Sequence, residues 1–170
     1  MPDTFVKIAS VTVGAGGSAS VTFSSIPSTY TDLCMKYSLR LDSNPQSNAW
    51  CSITVGLNGS SSSFTYRMVY GTGSSAASQT GTTEIAWVDS SVATANTFGN
   101  AETYFPNYAG SNNKSFSTDF VQEHNSSSAI AGLVASLWSN TAAITSITLS
   151  PPSGNFAQYS TAVLYGIKNS

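Results

Sequence analysis

The side chains that most often carry out chemistry in proteins are few in this sequence and lie far apart. There is one histidine, His124, and there are two cysteines, Cys34 and Cys51. Zinc sites usually take several Cys and His ligands at short, regular spacings, and these three residues do not supply such a pattern. His124 stands beside Glu123 and just before a run of serines, so we expect a surface histidine with no catalytic role.

The carboxylates do not point to a catalytic pair either. A glycoside hydrolase needs two of them facing each other across a cleft, and a calcium loop needs a denser cluster than any present. The sequence has neither a nucleophile elbow nor a phosphate-binding loop. A Ser-His-Asp triad depends on positions in space, so the sequence leaves it open, but nothing favours it. We therefore predict a non-enzymatic protein with no catalytic residue, no cofactor and no metal site.

Aromatic residues are the better candidates for contacts. Sugar-binding sheets use exposed Trp and Tyr rings as stacking platforms, because such rings combine a large apolar surface with a polar edge. Trp50 opposes the apolar face of its own strand, and Trp87 stands between two polar segments, where contacts concentrate. Tyr70 precedes the first of these segments. We predict Trp50, Trp87 and Tyr70 as ligand or partner contacts, the alternative for each tryptophan being a place in the core or at a subunit interface.

Composition restricts the class of protein. Only 8% of the 170 residues are charged, whereas 41% are hydrophobic and 11% aromatic. Disordered chains lack aromatic residues and carry high net charge, but here the net charge is −2. Six Lys and Arg residues cannot build the basic stripe that nucleic-acid binding needs. No apolar stretch approaches the roughly 18 residues of a membrane helix, so we expect neither nucleic acid nor membrane insertion.

The spacing of apolar residues has period two almost throughout, which predicts an all-β chain. We expect a single domain over residues 1–170, a jelly-roll-like β-sandwich of about ten short antiparallel strands. The strands at residues 5–13 and 19–23 should form a hairpin, as should those at 101–108 and 114–123. Residues 50–57 should be followed by a turn and a returning strand at 64–70. Residues 71–83 and 89–96 should be exposed loops. Residues 129–138 are rich in Ala and Leu, but their alternation favours a strand over a helix.

The two cysteines are expected to be free thiols. Cys51 shares an apolar face with Ile53 and Val55, whereas Cys34 alternates with apolar residues and falls on the wetter face of its strand. Residues on opposite faces do not meet the geometry of a disulfide unless a bulge intervenes. No secretory signal precedes the first strand, so we also expect synthesis and folding in a cytosol.

Several segments resemble a group of small structural proteins from tailed, largely marine bacteriophages. The similarity lies in residues 5–14 (FVKIASVTVG), 26–33 (IPSTYTDL), 104–110 (YFPNYAG), 113–117 (NKSFS), 137–144 (LWSNTAAI) and 158–168 (QYSTAVLYGIK). It covers both ends and most of the second half, whereas residues 42–96 match poorly. Members of this group are mostly virion proteins of unassigned role, so the resemblance implies a location more than a mechanism.

What the resemblance implies is a structural virion protein that decorates the capsid or forms a head or tail projection. Its expected partners are other virion proteins, such as major capsid or tail subunits, and further copies in a homotrimer or other homo-oligomer. The expected location is the virion surface, after synthesis in the host cytoplasm. The alternative is a receptor- or carbohydrate-binding module of a tail fibre that binds a host-surface glycan, with the loops around Trp87 as the contact region.

Overall fold

The computed structural model describes residues 4–125 and 129–168, and over these residues it contains β-strands and no helix. No helix that could span a membrane is therefore found in this part of the chain. The strands are β1 (Phe5–Thr12), β2 (Val21–Phe23), β3 (Asp32–Leu39), β4 (Trp50–Leu57), β5 (Phe64–Gly71), β6 (Ala76–Gly81), β7 (Glu84–Asp89), β8 (Gly99–Phe105), β9 (Lys114–Gln122), β10 (Ile130–Trp138), β11 (Ile147–Ser150) and β12 (Thr161–Ile167).

The strands form two antiparallel sheets of unequal size. The large sheet has eight strands in the order β1-β12-β3-β8-β9-β10-β5-β6, and the small sheet has four in the order β2-β11-β4-β7. Apolar side chains from both sheets form one buried core, which includes Leu33, Ile53, Phe120 and Trp138. The all-β sandwich predicted from the sequence is confirmed. Its jelly-roll form stays a prediction.

Alternation along the strands explains why the core forms. In β9 every second residue is buried from Lys114 to Gln122, and in β4 the side chains of Cys51, Ile53, Val55 and Leu57 are all fully buried. Burying this much apolar surface is the main favourable contribution to folding. The strand interpretation of residues 129–138 is confirmed, because β10 pairs with β9 on one side and with β5 on the other.

One predicted hairpin is confirmed and one is wrong. Strands β8 and β9 pair directly, as expected. Strands β1 and β2, however, lie in different sheets: β1 pairs with β12, and β2 pairs with β11. Strands β4 and β5 also separate, because β4 joins β7 and β11 while β5 joins β6 and β10. The turns at these places are real, but they carry the chain from one sheet to the other.

The segment 71–83, expected to be an exposed loop, contains strand β6 instead. This strand pairs with β5 along its whole length and forms one edge of the large sheet. Its residues are small or polar and bury little, so no apolar alternation reveals it. Pairing of its backbone with β5 defines it as a strand.

The two cysteines are free and buried, which confirms the predicted free thiols. Cys34 lies in β3 of the large sheet, and Cys51 lies in β4 of the small sheet. Cys34 points outward as predicted, but it is not wet, because the side chains of Tyr104 and Tyr165 occupy the cross-strand positions on either side of it.

Candidate functional site

The three aromatic residues singled out from the sequence lie together in the structure. The rings of Trp50 and Trp87 stack with their centroids 4.2 Å apart and an interplanar angle of 18°. Tyr70 meets Trp87 edge-on at 4.6 Å. We call Trp50, Tyr70 and Trp87 the aromatic cluster. It joins β4 and β7 of the small sheet to β5 of the large sheet.

Trp87 is the buried centre of this cluster. Its side chain is only 2% exposed, because it lies between Trp50 and the Phe120 ring, whose centroid is 5.8 Å away. Its indole Nε1 donates a hydrogen bond to Glu84 Oε2 at 3.4 Å. The same carboxylate oxygen accepts hydrogen bonds from Tyr66 Oη at 2.9 Å and from Gln79 Nε2 at 3.1 Å. The polar edge of the indole is therefore satisfied inside the protein, as a buried tryptophan requires.

Trp87 therefore lies in the core, which is the alternative that the sequence left open for each tryptophan. The large sheet covers this residue through β5 and β9, so its ring has no open face on which a sugar could stack. Trp50 and Tyr70 are partly exposed. Any contact that the aromatic cluster makes with a ligand must come from these two rings, with Trp87 holding them in position.

A second surface, which the sequence did not reveal, lies on the outer face of the large sheet, away from the core. Strand registers align one residue from every strand in a row across this face. The row runs Ser10, Val163, Lys36, Glu102, Asp119, Leu133, Val69 and Ser78. Its charged members are in the centre, and two large apolar side chains stand beside them.

These apolar side chains are open to solvent. Leu133 is 61% exposed and Val69 is 57% exposed, and the two lie directly opposite each other on β10 and β5. Val121 and Ala131, which are paired across β9 and β10, extend the apolar surface. We call Val69, Val121, Ala131, Leu133 and Ala135 the apolar patch. It lines an open depression of about 770 Å³ and a neighbouring one of about 390 Å³.

The sequence did show the alternation of Ala131, Leu133, Ala135 and Leu137. What it could not show is that this set faces outward, since Ile130, Val134 and Trp138 of the same strand enter the core. Both faces of β10 carry apolar residues, so periodicity alone does not tell which face is buried.

A charged group adjoins the apolar patch. Lys36 Nζ and Glu102 Oε2 form an ion pair at 2.7 Å, the only ion pair in residues 4–125 and 129–168. Asp119 stands directly opposite Glu102 on the next strand. These side chains are exposed or partly exposed, so the ion pair adds little stability. What they provide is a polar border to the patch.

The prediction that His124 is a surface residue is wrong. It is 1% exposed, and neither ring nitrogen has a hydrogen-bond partner among the described residues. Asp89 is also buried, and both of its carboxylate oxygens lack a partner in the same part of the chain. Burial raises the pKa of Asp89, while the nearby Thr97 side chain and attraction to His124 and to Arg40 oppose that rise.

Hydrogen bonds next to these buried groups hold a neighbouring segment in place. Thr94 Oγ1 donates a hydrogen bond to the backbone carbonyl of His124. The guanidinium group of Arg40 donates hydrogen bonds to the carbonyl oxygens of Ser91, Ala93, Thr94 and Thr97. Residues 89–96 were expected to form an exposed loop. After Asp89 these residues belong to no strand. The hydrogen bonds from Arg40 nevertheless hold them against the end of β3.

Comparison of the chain with protein-family models gave no match, and comparison with curated proteins gave no significant similarity. No group of three or more His, Cys, Asp or Glu side chains that could hold a metal ion occurs within the described ranges. The two candidate contact surfaces of the described residues are therefore the apolar patch and the aromatic cluster.

Proposed function

We propose that this chain is a non-enzymatic structural protein of a bacteriophage virion, a capsid decoration or head/tail surface-projection protein that binds other virion subunits. The observation that carries the proposal is the apolar patch. An antiparallel sheet with one face on the core normally presents polar residues on its other face. Here Leu133, Val69 and Val121 stand together on that outer face, and contiguous apolar surface of this kind marks protein–protein contact sites.

The low charge of the chain supports the same role. With 8% charged residues and a net charge of −2, neighbouring subunits repel one another only weakly when they are packed at high local density. The patch itself carries no charge, and its polar border of Lys36, Glu102 and Asp119 resembles the rim of an interface around an apolar centre. The partners we propose are major capsid or tail subunits and further copies of the chain. The location is the virion surface, after synthesis in the host cytoplasm.

The direct test is the protein content of purified particles of the phage that encodes the chain. Mass spectrometry should detect the protein at a fixed copy number per particle, and immunogold labelling should mark one part of the particle. Absence from washed particles would contradict the proposal.

A pair of matched variants connects incorporation to the apolar patch. Leu133→Lys places a positive charge in the patch. Because residue 133 lies directly opposite Asp119, the new lysine should form a favourable cross-strand pair with it and leave the fold intact. Val92→Lys places the same charge at an apolar residue of equal exposure outside the patch, since the two are 61% and 60% exposed. Leu133→Lys should reduce incorporation into particles, whereas Val92→Lys should not. Equal incorporation of the two variants would contradict the role of the patch.

The second candidate function is receptor or carbohydrate binding at the tip of a tail fibre. The stacked pair of Trp50 and Trp87 favours it, because Trp50 is partly exposed and held flat by the ring beneath it. A glycan array with the wild-type protein tests this function. Binding that is lost in Trp50→Ala but kept in Leu133→Lys would support it, and no binding by the wild type would exclude it.

A further inference from the structure

Three of the four sheet edges are protected against pairing with another chain. Strand β1 has a β-bulge between Lys7 and Ala9 and carries the Lys7 charge on its outer face. Strand β2 is only three residues long. Strand β7 is buried from Ile85 to Asp89 and contacts β8, β9 and β10 of the large sheet. Bulges, charged residues, short strands and coverage are the usual means by which proteins keep edges from associating.

The fourth edge, β6, has none of these protections. It spans Ala76–Gly81 with the sequence AASQTG, which contains no charged residue and no proline. Its pairing with β5 shows no bulge, and most of its residues are exposed. An edge of this kind offers a row of unpaired backbone N–H and C=O groups to another strand.

The hairpin geometry identifies which backbone groups of β6 face outward. Thr72 N donates to Ser75 O at 2.9 Å and closes the turn between β5 and β6. Hydrogen-bonded and non-hydrogen-bonded pairs alternate along an antiparallel ladder. Counting from that closing pair, Ala76, Ser78 and Thr80 are in non-hydrogen-bonded positions toward β5. Their N–H and C=O groups therefore point to the open edge, where no described residue bonds them.

We propose that β6 pairs antiparallel with β6 of a second copy of this chain, with Ser78 opposite its own counterpart. In this register Ala76 of each copy faces Thr80 of the other, so all the outward-pointing backbone groups meet in hydrogen-bonded pairs. A shift by one residue would place outward side chains opposite inward ones and is excluded by the alternation of the strand. The edge is thus self-complementary, which is what a two-fold interface requires.

Charge and surface continuity favour a second copy over a different partner. Nothing on β6 attracts an oppositely charged segment, since the strand is uncharged, and the low net charge of −2 opposes self-association only weakly. Pairing at Ser78 also extends the cross-strand row of the outer face, because Ser78 adjoins Val69 and Val69 adjoins Leu133. The apolar patches of the two copies would then flank the two-fold axis on one side of a continuous sheet.

The expected strength is modest. A stable interface usually buries about 1,200 Å² or more, and a six-residue edge supplies only part of that area. We therefore expect a reversible dimer with a Kd of roughly 10 μM. The inference deepens the proposed function by naming a second copy of the chain as one partner, and only the role of the dimer in the particle rests on that function. Dimerisation is measured on purified protein, so its failure is distinct from a failure to find the protein in virions.

The test is a sedimentation-equilibrium series on the full chain from about 1 to 500 μM, concentrations that bracket the expected Kd. Ser78→Lys places two like charges opposite each other at the two-fold axis and should weaken the dimer by roughly tenfold or more. Ser10→Lys is the matched control, because Ser10 is an exposed serine at the other end of the same cross-strand row, on edge strand β1. It should leave the Kd unchanged.

A second variant does not depend on charge. Ser78→Pro removes one outward N–H without removing a bond to β5, and proline is tolerated on edge strands. It should also abolish the dimer, with circular dichroism confirming an intact fold. In a third variant, Ser78→Cys, opposed Cα atoms in the proposed register would be about 5.5 Å apart, within disulfide range. It should oxidise to a covalent dimer faster than Ser10→Cys, while native Cys34 and Cys51 stay buried.

A concentration-dependent dimer that Ser78→Lys and Ser78→Pro weaken and Ser10→Lys does not would establish the pairing. A wild-type chain that stays monomeric throughout the series would overturn it. So would a dimer that tolerates both Ser78 variants, or equal cross-linking of Ser78→Cys and Ser10→Cys.

Discussion

Leu133 on β10 and Val69 on β5 lie directly opposite each other, and both side chains point into solvent from the outer face of the large sheet. Exposing two large apolar side chains to water on one face has a free-energy cost, which is removed when another protein covers them. This cross-strand pair is therefore the feature of the fold that most directly supports the proposed role in assembly.

The first prediction concerns the buried carboxylate of Asp89. Burial raises its pKa, so the folded state holds the proton more tightly than the unfolded state does. In the unfolded chain the Asp89 carboxyl has a pKa of about 3.9. The free energy of unfolding of the wild type should therefore fall as the pH rises from below this value through the higher pKa of the folded protein. Asp89→Asn removes the ionisation and should increase the free energy of unfolding at pH 7 by about 1 kcal/mol.

Urea unfolding at neutral and at acidic pH measures this effect. The advantage of Asp89→Asn should disappear at low pH, where the wild-type carboxyl is protonated. Asp119→Asn is the control, because Asp119 is exposed on the outer face, and it should show no comparable gain. A destabilised Asp89→Asn variant at pH 7 would mean that attraction to Arg40 and His124 outweighs the cost of burial.

The second prediction concerns thiol reactivity. Burial, with Glu102 as a smaller cause, raises the pKa of Cys34 to about 12, and burial also raises the pKa of Cys51. Because the thiolate is the reactive form, neither cysteine should react with a disulfide reagent at pH 8 in the folded protein. Both cysteines should react rapidly when the protein is unfolded in urea. Rapid modification of either thiol without denaturant would show that the strands around it open readily.

The third prediction separates the roles of the two stacked tryptophans. Trp87→Ala removes a buried ring and the bond to Glu84 and should lower the free energy of unfolding by about 3–5 kcal/mol. Trp50→Ala removes a partly exposed ring and should cost about 1 kcal/mol. Chemical denaturation followed by circular dichroism measures both. Equal losses would mean that Trp50 is as much a core residue as Trp87.

The fourth prediction concerns Gly166 in β12. A Cβ atom at this position would overlap the ring of Tyr30, which lies against the glycine. Gly166→Ala should therefore displace Tyr30 and destabilise the fold by about 1–3 kcal/mol. Gly14→Ala is the matched control, since nothing lies within 4 Å of its Cβ position. Thermal unfolding of the two variants should show a lower Tm for Gly166→Ala alone.

How far the sequence predicts this fold depends on whether the signal is local. The alternation in residues 50–57 defined β4 with its bounds as observed, and the Asn-rich turn between β8 and β9 identified a true hairpin. Strand β1 instead pairs with β12, at the far end of the chain. A turn sequence cannot tell whether the strands on either side pair together or enter different sheets, so the hairpin predicted for β1 and β2 is wrong.

The candidate site shows the same limit. The sequence selected Trp50, Tyr70 and Trp87 without knowing that they meet, and it missed that β5 and β9 cover the ring of Trp87. The sequence does not identify the apolar patch, because alternating Ala and Leu residues give the same pattern whether they face the core or the solvent. His124 was placed on the surface from its polar neighbours, whereas its burial comes from the packing of distant segments.

The proposed function requires that the apolar patch be covered in the assembled particle. Hydroxyl-radical footprinting of the free protein and of intact virions, read by mass spectrometry, measures this directly. Leu133 and Val69 should be modified readily in the free protein and be strongly protected in the virion, while Val92, which is equally exposed, keeps its reactivity in at least part of the subunits. Equal modification of Leu133 in the free and the assembled protein would contradict the account.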